Sequence, residues 1–482
     1  MKYDVAIIGG GISGVSIAFE LSKYNLNVVL LEKENDVSMM TTKANSGIVH
    51  AGYDPLPNTE MARFNVLGNK IIHELAEKIH FPFKPLGSLV VGKTMADHEK
   101  INLLFERGIR NQVPGLRILK TRKEVHDVEP YLVEDIDYAL YAPTCSIVSP
   151  WELCLGLAYT AKINGVDFCF NAKVTCINKK EDGFVLSCSS GDICASYVVN
   201  CAGLYADDIY GMVLKNKEEG FVISPCKGEY FLLDKEQGHL ANHVVFQCPT
   251  KLGKGVLVSP TVHGNLLVGP NASFEGEKED VSTRMSSLAF IKTASKESIG
   301  NIDFMTNIRN FSGERATIQG RDDFLIEESR FVPHFINVAG IKSPGLTSAP
   351  AFGIKIVEIL KQDGVRLEKK REFSYYEMKK PFKEMTLEGK DEAIREDYRY
   401  GNIICRCETV TEKEIIDSIH APIPARSIDG IKRRCNAGMG RCQGGFCSPK
   451  VFHLLQKEAN LGFDQVFQDR EGSCFVKERT KE

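Results

Sequence analysis

DVAIIGGGISGVSIAFELSKYNLNVVLLE, residues 4–32, decides the fold. DVAII is a short apolar run, GGGISG a glycine turn, VSIAFELSKY a helix with an apolar face, and NVVLLE a second strand. Strand, glycine turn, helix and strand in that order open a doubly wound α/β fold. A lone G-x-G-x-x-G is a weak signal, but here its context is complete. Gly9, Gly11 and Gly14 follow a strand and open a helix, and Glu32 ends the next strand 21 residues after Gly11. The glycines let the backbone approach a pyrophosphate, the helix N-terminus stabilises its charge, and Glu32 can accept ribose hydroxyls. The segment predicts a bound dinucleotide and leaves FAD and NAD open.

Two later stretches, VVNCAGLYAD (198–207) and INVAGIKSPGLTSAP (336–350), are each a strand ending in Ala-Gly, after which backbone can pass close to a ligand. Such turns so far down the chain fit an extended FAD laid across the sheet. Residues 81–270 hold many short β-rich runs, among them GSLVVG, FVLSCSS, GEYFLLD and GNLLVGP. The expectation is a mixed α/β (α+β) chain. A Rossmann-like, doubly wound dinucleotide domain interleaves with a β-rich substrate domain over residues 1–365. A charged linker follows at 366–400, then a small Cys-rich helical module at 401–465 and a tail at 466–482.

Composition excludes several classes. A chain of 482 residues, 43% apolar and 26% charged, can bury a large core, so it is neither disordered nor collagen-like. Sixty Lys and Arg against 63 Asp and Glu give a net charge of -3, and no electrostatic case for nucleic acid. No charged region precedes the first apolar run, which argues against a secretory signal. No stretch nears about 18 uninterrupted apolar residues, so no membrane span is expected. The expectation is a cytoplasmic protein, with peripheral attachment through a partner left open.

Nine of the 15 cysteines are scattered singly from Cys145 to Cys248 and read as small buried hydrophobes. Cys405 and Cys407 form C-x-C, and QGGF separates Cys442 from Cys447. An extended segment would put the first pair on one side, roughly 7 Å apart. Four thiolates suit either a [2Fe–2S] cluster or zinc in a reducing compartment. Cys435 falls outside the pattern and reads as spare. Lys432, Arg433, Arg434 and Arg441 flank the cluster, either as solvated charge or as a docking surface for an acidic redox partner. KANSGIVHAGYD (43–54) sets Ser46 and His50 between glycines, and a histidine can take a proton at neutral pH.

NSGIVHAGYD, KGEYFLLD (227–234), PTKLGKGVLVSPTVHGNLLVGP (249–270) and AGIKSPGLTSAP (339–350) converge on one family. The chain resembles FAD-dependent glycerol-3-phosphate dehydrogenases of glycerol metabolism, close to the anaerobic catalytic-subunit type, within the D-amino-acid-oxidase-like superfamily. The 401–465 module resembles bacterioferritin-associated-ferredoxin-like domains. The resemblance implies FAD, placed by Gly9, Gly11, Gly14, Glu32, Lys33, Thr42, Gly203, Gly340, Gly345, Leu346 and Thr347. It implies that Ser46 and His50 lie near flavin and substrate, that Lys254, Arg315 and Ser343 hold the substrate, and that Cys405, Cys407, Cys442 and Cys447 hold a [2Fe–2S] cluster. The implied reaction is oxidation of sn-glycerol 3-phosphate to dihydroxyacetone phosphate, with His50 as base and electrons leaving through the cluster to a partner subunit or quinone. SGERA (312–316) departs from the family, which has an apolar residue where Glu314 stands, and Glu314 can bond the Arg315 guanidinium and blunt a phosphate clamp. Two other readings stand beside this one. The first is oxidation of L-2-hydroxyglutarate or another 2-hydroxy acid, whose enzymes share the NSG-x-x-HAG segment. The second is a non-enzymatic redox or iron–sulfur carrier.

Overall fold

β1 (Lys2–Ile8), α1 (Ile12–Leu21) and β2 (Val28–Leu31) form the expected opening unit in the computed structural model, which describes residues 2–249, 255–274 and 276–478. Lys254 lies outside the described residues. Six later elements carry the site: α2 (Glu60–Ile79), α3 (Pro150–Ile163), β3 (Gly191–Asn200), β4 (Ile223–Leu233), β5 (Asn307–Ile318) and β6 (Phe335–Ala339). They are followed by α4 (Gly345–Gln362) and, in the Cys-rich module, α5 (Ile428–Cys435).

The first sheet sets β2, β1, β3 and β6 side by side and parallel, with Ile8 level with Leu31 and Asn200, and Asn200 level with Asn337. The four carboxyl ends therefore lie in a row. Glu32, Gly9, Gly203 and Gly340 stand just beyond them, at the edge where doubly wound sheets take ligands. Asn200 Nδ2 ties two of these ends together by donating to Asn337 Oδ1 (3.0 Å) and to the Ala206 carbonyl (2.8 Å). Apolar residues of β1, α1, α3 and α4 fill one core against this sheet, Ile7, Val15, Leu157 and Phe352 among them. The β-rich region forms a second sheet, in which β4 and β5 pair antiparallel from Ile223↔Ile318 to Leu233↔Asn307.

α2 crosses the start of α4 at very short range. A Cβ at Gly68 would lie 2.0 Å from the Thr347 carbonyl oxygen, so only glycine lets the helices close. Four residues apart and so on one face of α2, Asn65 and Asn69 donate to the His50 carbonyl (2.7 and 3.1 Å).

The charged stretch after residue 365 is anchored by its aromatic residues. Phe373 packs edge-on to Phe19, with ring centres 6.1 Å apart, and Tyr376 meets Tyr159 at 4.9 Å. Beyond it, α5 and the helices Glu412–Ile419 and Ser448–Glu458 enclose a separate small core that includes Ile415, Ile431, Phe452 and Leu455. Among the described residues, no helix is long and apolar enough to cross a membrane.

Gly68→Ala forces the α2–α4 crossing apart, and overpacking of this kind costs about 1–3 kcal/mol. Urea unfolding is expected to show that loss, and an unchanged midpoint would contradict the crossing described.

Candidate active site and thiol cluster

A cavity of about 1880 Å³ follows the carboxyl edge of the first sheet and is walled on its other side by β4 and β5. At one end it meets the glycine turn. Gly9 has φ +112°, and a Cβ there would lie 2.4 Å from the Cys201 carbonyl oxygen. A Cβ at Gly14 would lie 2.1 Å from the Gly9 oxygen. Backbone, not side chains, therefore forms this wall, as a pyrophosphate requires.

Glu32 lines the same end, buried at the tip of β2, and accepts from the Gly10 N–H (2.5 Å) and the Glu34 N–H (2.9 Å). Burial pushes its carboxyl upward and outweighs the opposing pull of those two bonds. Thr42 Oγ1 accepts from the Ile12 N–H at the start of α1 (3.0 Å), and the Lys33 ammonium lies 4.0 Å over the Tyr205 ring. Gly203, Gly345 and Leu346 also face the cavity. Gly14, Gly340 and Thr347 are not among its lining. Gly340 makes a left-handed turn at φ +69°. Thr347 Oγ1 accepts from the His50 N–H (2.9 Å) and donates to the Ile48 carbonyl (3.2 Å). The size of the cavity, its glycine wall and the buried carboxylate fit a dinucleotide of the size of FAD.

Ser46, His50, Arg315 and Ser343 line the same cavity. His50 is fixed through both its backbone groups, by Thr347 and by the two asparagines of α2. Its ring stacks on Phe246 at 5.7 Å, and its Nε2 lies 3.3 Å from Ser343 Oγ. Ser46 Oγ lies 3.4 Å from the Tyr230 hydroxyl. Arg315 donates through Nη1 to the carbonyls of Cys226 (3.4 Å) and Lys227 (3.5 Å), and through Nη2 to that of Asn271 (3.3 Å).

The expected bond from Glu314 to this guanidinium does not form. Neighbours on a strand point to opposite faces, so the Glu314 side chain leaves the strand away from the guanidinium, although Glu314 also borders the cavity. It is 4% exposed, and neither carboxyl oxygen has a hydrogen-bond partner among the described residues. Lys227, paired with it in register, turns its ammonium to Asp280 (2.7 Å). Burial pushes the Glu314 carboxyl up to about 7.

In the Cys-rich module, Cys405 ends a short strand and Cys407 lies in the turn after it, so their sulfurs approach to 3.8 Å, nearer than an extended segment allows. Cys407 and Cys442 are 3.7 Å apart. Cys447 donates to Cys405, and this bond draws the Cys405 thiol down to about 5. A Cβ at Gly440 would lie 2.7 Å from the Cys407 sulfur. Four thiols meeting pairwise inside a glycine cradle fit a [2Fe–2S] cluster. Among the described residues, no three or more His, Cys, Asp or Glu side chains converge as a site for one metal ion. Cys435 points away, toward the Ile431 carbonyl (3.4 Å). Of the nine scattered cysteines, five are buried and Cys176 is exposed; all 15 cysteines are free.

The basic run beside the cluster has partners within the chain. Arg434 forks onto Asp36 (2.7 and 2.9 Å) and donates to the Tyr159 hydroxyl (2.9 Å). Arg433 bridges Asp36 (3.2 Å) and Asp469 (2.7 Å), and Lys43 also reaches Asp469 (2.6 Å). Both arginines are buried, so they do not present a charged docking surface. Burial would push the Asp36 carboxyl up, but the two guanidinium groups hold it below its ordinary value. Stranding one member of such a buried pair costs about 3–5 kcal/mol.

Sequence reading missed Asp36, Asn65 and Asn69. The asparagines left a trace, as two amides four residues apart among the apolar positions of an amphipathic helix. Asp36 left none.

Residues 4–359 match the FAD dependent oxidoreductase family, and residues 403–457 the BFD-like [2Fe-2S] binding domain. The chain is 47% identical, over 99% of both lengths, to a glycerol 3-phosphate dehydrogenase of Caloramator mitchellensis. It is 35% identical to a glycerol 3-phosphate oxidase of Mycoplasma genitalium, over 76% of this chain and 96% of that one. The structure superposes with a TM-score of 0.74 on dithionite-reduced, FAD-bound L-alpha-glycerophosphate oxidase from Mycoplasma pneumoniae, at 31% identity, covering 79% of this chain and 99% of that one.

The state of Glu314 predicts a pH effect on stability. An acid whose folded value is raised stabilises the fold while protonated and loses that contribution as pH rises through the folded value. Wild type is therefore expected to lose thermal stability relative to Glu314→Gln as pH rises from the ordinary carboxyl value of 4.5 to about 7, and to level off above that. The two proteins should differ least below the ordinary value, and parallel melting curves across the whole range would refute the assignment.

Proposed function

The chain belongs to the FAD dependent oxidoreductase family and carries a BFD-like [2Fe-2S] domain, and from that premise we propose that it oxidises sn-glycerol 3-phosphate to dihydroxyacetone phosphate. The observation that carries the substrate is the full-length likeness to a glycerol 3-phosphate dehydrogenase. Beside it stands a cavity that pairs an imidazole with a guanidinium.

We assign residues 1–365 to flavin and substrate and 401–465 to the cluster. FAD, held at Gly9, Gly11, Gly14, Glu32, Lys33, Thr42, Gly203, Gly340, Gly345, Leu346 and Thr347, supplies the two-electron acceptor for the carbinol hydride. Gly14, Gly340 and Thr347 act by shaping the turns and the backbone at His50. His50 Nε2 takes the hydroxyl proton, and Ser343 Oγ beside it orients the alcohol. Arg315 receives the phosphate. Its present partners are a sulfur and carbonyl oxygens, which aim the guanidinium without cancelling its charge. Ser46 completes the wall through Tyr230. Lys254 is assigned to the substrate on sequence alone. Holding the carbinol carbon in line is where much of the rate arises.

The cluster, on Cys405, Cys407, Cys442 and Cys447, supplies a one-electron carrier, so electrons leave for a partner subunit or quinone-linked acceptor. Free thiols throughout suit a reducing, cytoplasmic setting.

Anaerobic glycerol 3-phosphate is expected to bleach the flavin, and L-2-hydroxyglutarate to leave it oxidised; the reverse result would overturn the proposed substrate. General-base help contributes about 10²- to 10⁴-fold. His50→Ala should slow bleaching by about that factor with flavin content unchanged, and a variant that bleaches at the normal rate would remove His50 from its role.

A further inference from the structure

One face of β5 joins the substrate end of the cavity to the cluster-bearing loop. Alternate residues of a strand share a face, so Arg309, Phe311, Gly313 and Arg315 lie in line. Arg315 lines the cavity. Phe311 pairs in register with Tyr230 on β4, and their rings stack at 4.7 Å with 9° between planes. Tyr230 lines the cavity, its hydroxyl beside Ser46. At the far end, Arg309 Nη1 reaches Gln443 Oε1 (3.4 Å). Gln443 directly follows Cys442, and its amide is anchored on the carbonyls of Met439 and Gly440 in the same loop. Six residues of strand separate Arg315 from Arg309, a span of about 20 Å, with the aromatic pair between them.

Contacts on both sides keep the module in this position. Glu408, next to Cys407, accepts from Lys235 (2.9 Å), just past the end of β4. Arg441, next to Cys442, faces Asp234 (3.4 Å) and Glu236 (3.5 Å). On the other side, α5 is locked to Asp36. The module is thus gripped at its cluster loops by the substrate domain and at its helix by the dinucleotide domain.

We propose that the Tyr230–Phe311 stack, with Arg309 fixing Gln443 at its end, is the path by which electrons pass from the flavin to the [2Fe–2S] cluster. The proposal rests on the functional reading above. Each alcohol oxidised loses a hydride to flavin and a proton to His50. The two electrons then leave singly, because a [2Fe–2S] cluster takes one at a time. The first must pass from the cluster to an external one-electron acceptor before the second follows, and the remaining flavin proton goes to solvent. Phe311 and Arg309 do not line the cavity and act as positioning residues for this transfer.

The test uses the full-length holoenzyme, mixed anaerobically with glycerol 3-phosphate. Flavin bleaching and the cluster's paramagnetic signal are followed separately. In Phe311→Leu and in Arg309→Ala, flavin bleaching is expected at the wild-type rate, while cluster reduction falls several-fold below it. Redox titration should leave the cluster potential unchanged, which separates a lost path from a changed driving force. Arg309 is exposed, so its variant folds even if the Phe311 variant does not. Cluster reduction at the wild-type rate in Arg309→Ala and any folded Phe311→Leu would overturn the path. A wild-type cluster that stays oxidised under bleached flavin would overturn it too. A wild-type flavin that glycerol 3-phosphate does not bleach would instead strike the functional reading.

Discussion

The backbone contact between Gly9 and the Cys201 carbonyl is the constraint on which the rest of the site depends. β1 and β3 leave the sheet at one level, Ile8 beside Asn200, and their chains turn across each other with no room for a Cβ. Asn200 carries that position to Asn337 at the end of β6. From β6 the chain passes through Gly340 and Ser343 into α4, where Thr347 holds the His50 N–H. A methyl wedged at Gly9 would therefore act on the proposed base some forty residues away through two hydrogen bonds and the chain that joins β6 to α4. The glycine wall and the imidazole are parts of one rigid arrangement.

A second constraint ties the thiol module to that arrangement. A buried ion pair adds little net stability over an apolar contact of the same size. What it adds here is register, because a guanidinium forked onto a carboxylate cannot slide as an apolar surface can. Asp36 belongs to the segment that carries Glu32, Thr42 and Ser46, and the Ser38 N–H in that segment bonds the Gly10 carbonyl. One stretch of chain thus faces the dinucleotide on one side and α5 on the other. Seating of the cofactor and seating of the module are mechanically linked.

The parts of this design written in local pattern were legible in the sequence. The glycine turn, the Ala-Gly strand ends and the C-x-C pair each follow from spacing within a few residues. What stayed hidden needed distant partners. Arg434 finds Asp36 across 398 residues of sequence, so its charge read as surface. Phe373 and Tyr376 lay inside a run of Lys and Glu, and the charge masked an aromatic anchor. Gly68 drew no reading from the sequence, because the backbone it admits belongs to α4. Glu314 misled in another way. Its adjacency to Arg315 suggested a pair, whereas strand alternation sends the two to opposite faces.

That alternation bears on the chemistry. Two cations lie close together on the β4–β5 ribbon, Lys227 and Arg315, and the fold treats them differently. Lys227 is buried and given Asp280, so its charge is cancelled within the protein. Arg315 is given, among the described residues, only carbonyl oxygens and the Cys226 sulfur. Carbonyl dipoles orient a guanidinium but leave its full charge available, and inside a cavity that charge is poorly screened. Had Glu314 paired with it, a phosphate would have had to displace a carboxylate already in place. With no bond from Glu314, the guanidinium stays available to the anionic end of the proposed substrate. Glu314 borders the same cavity, yet no carboxylate among the described residues is bonded to the Arg315 guanidinium. Burial meanwhile pushes the Glu314 carboxyl up to about 7.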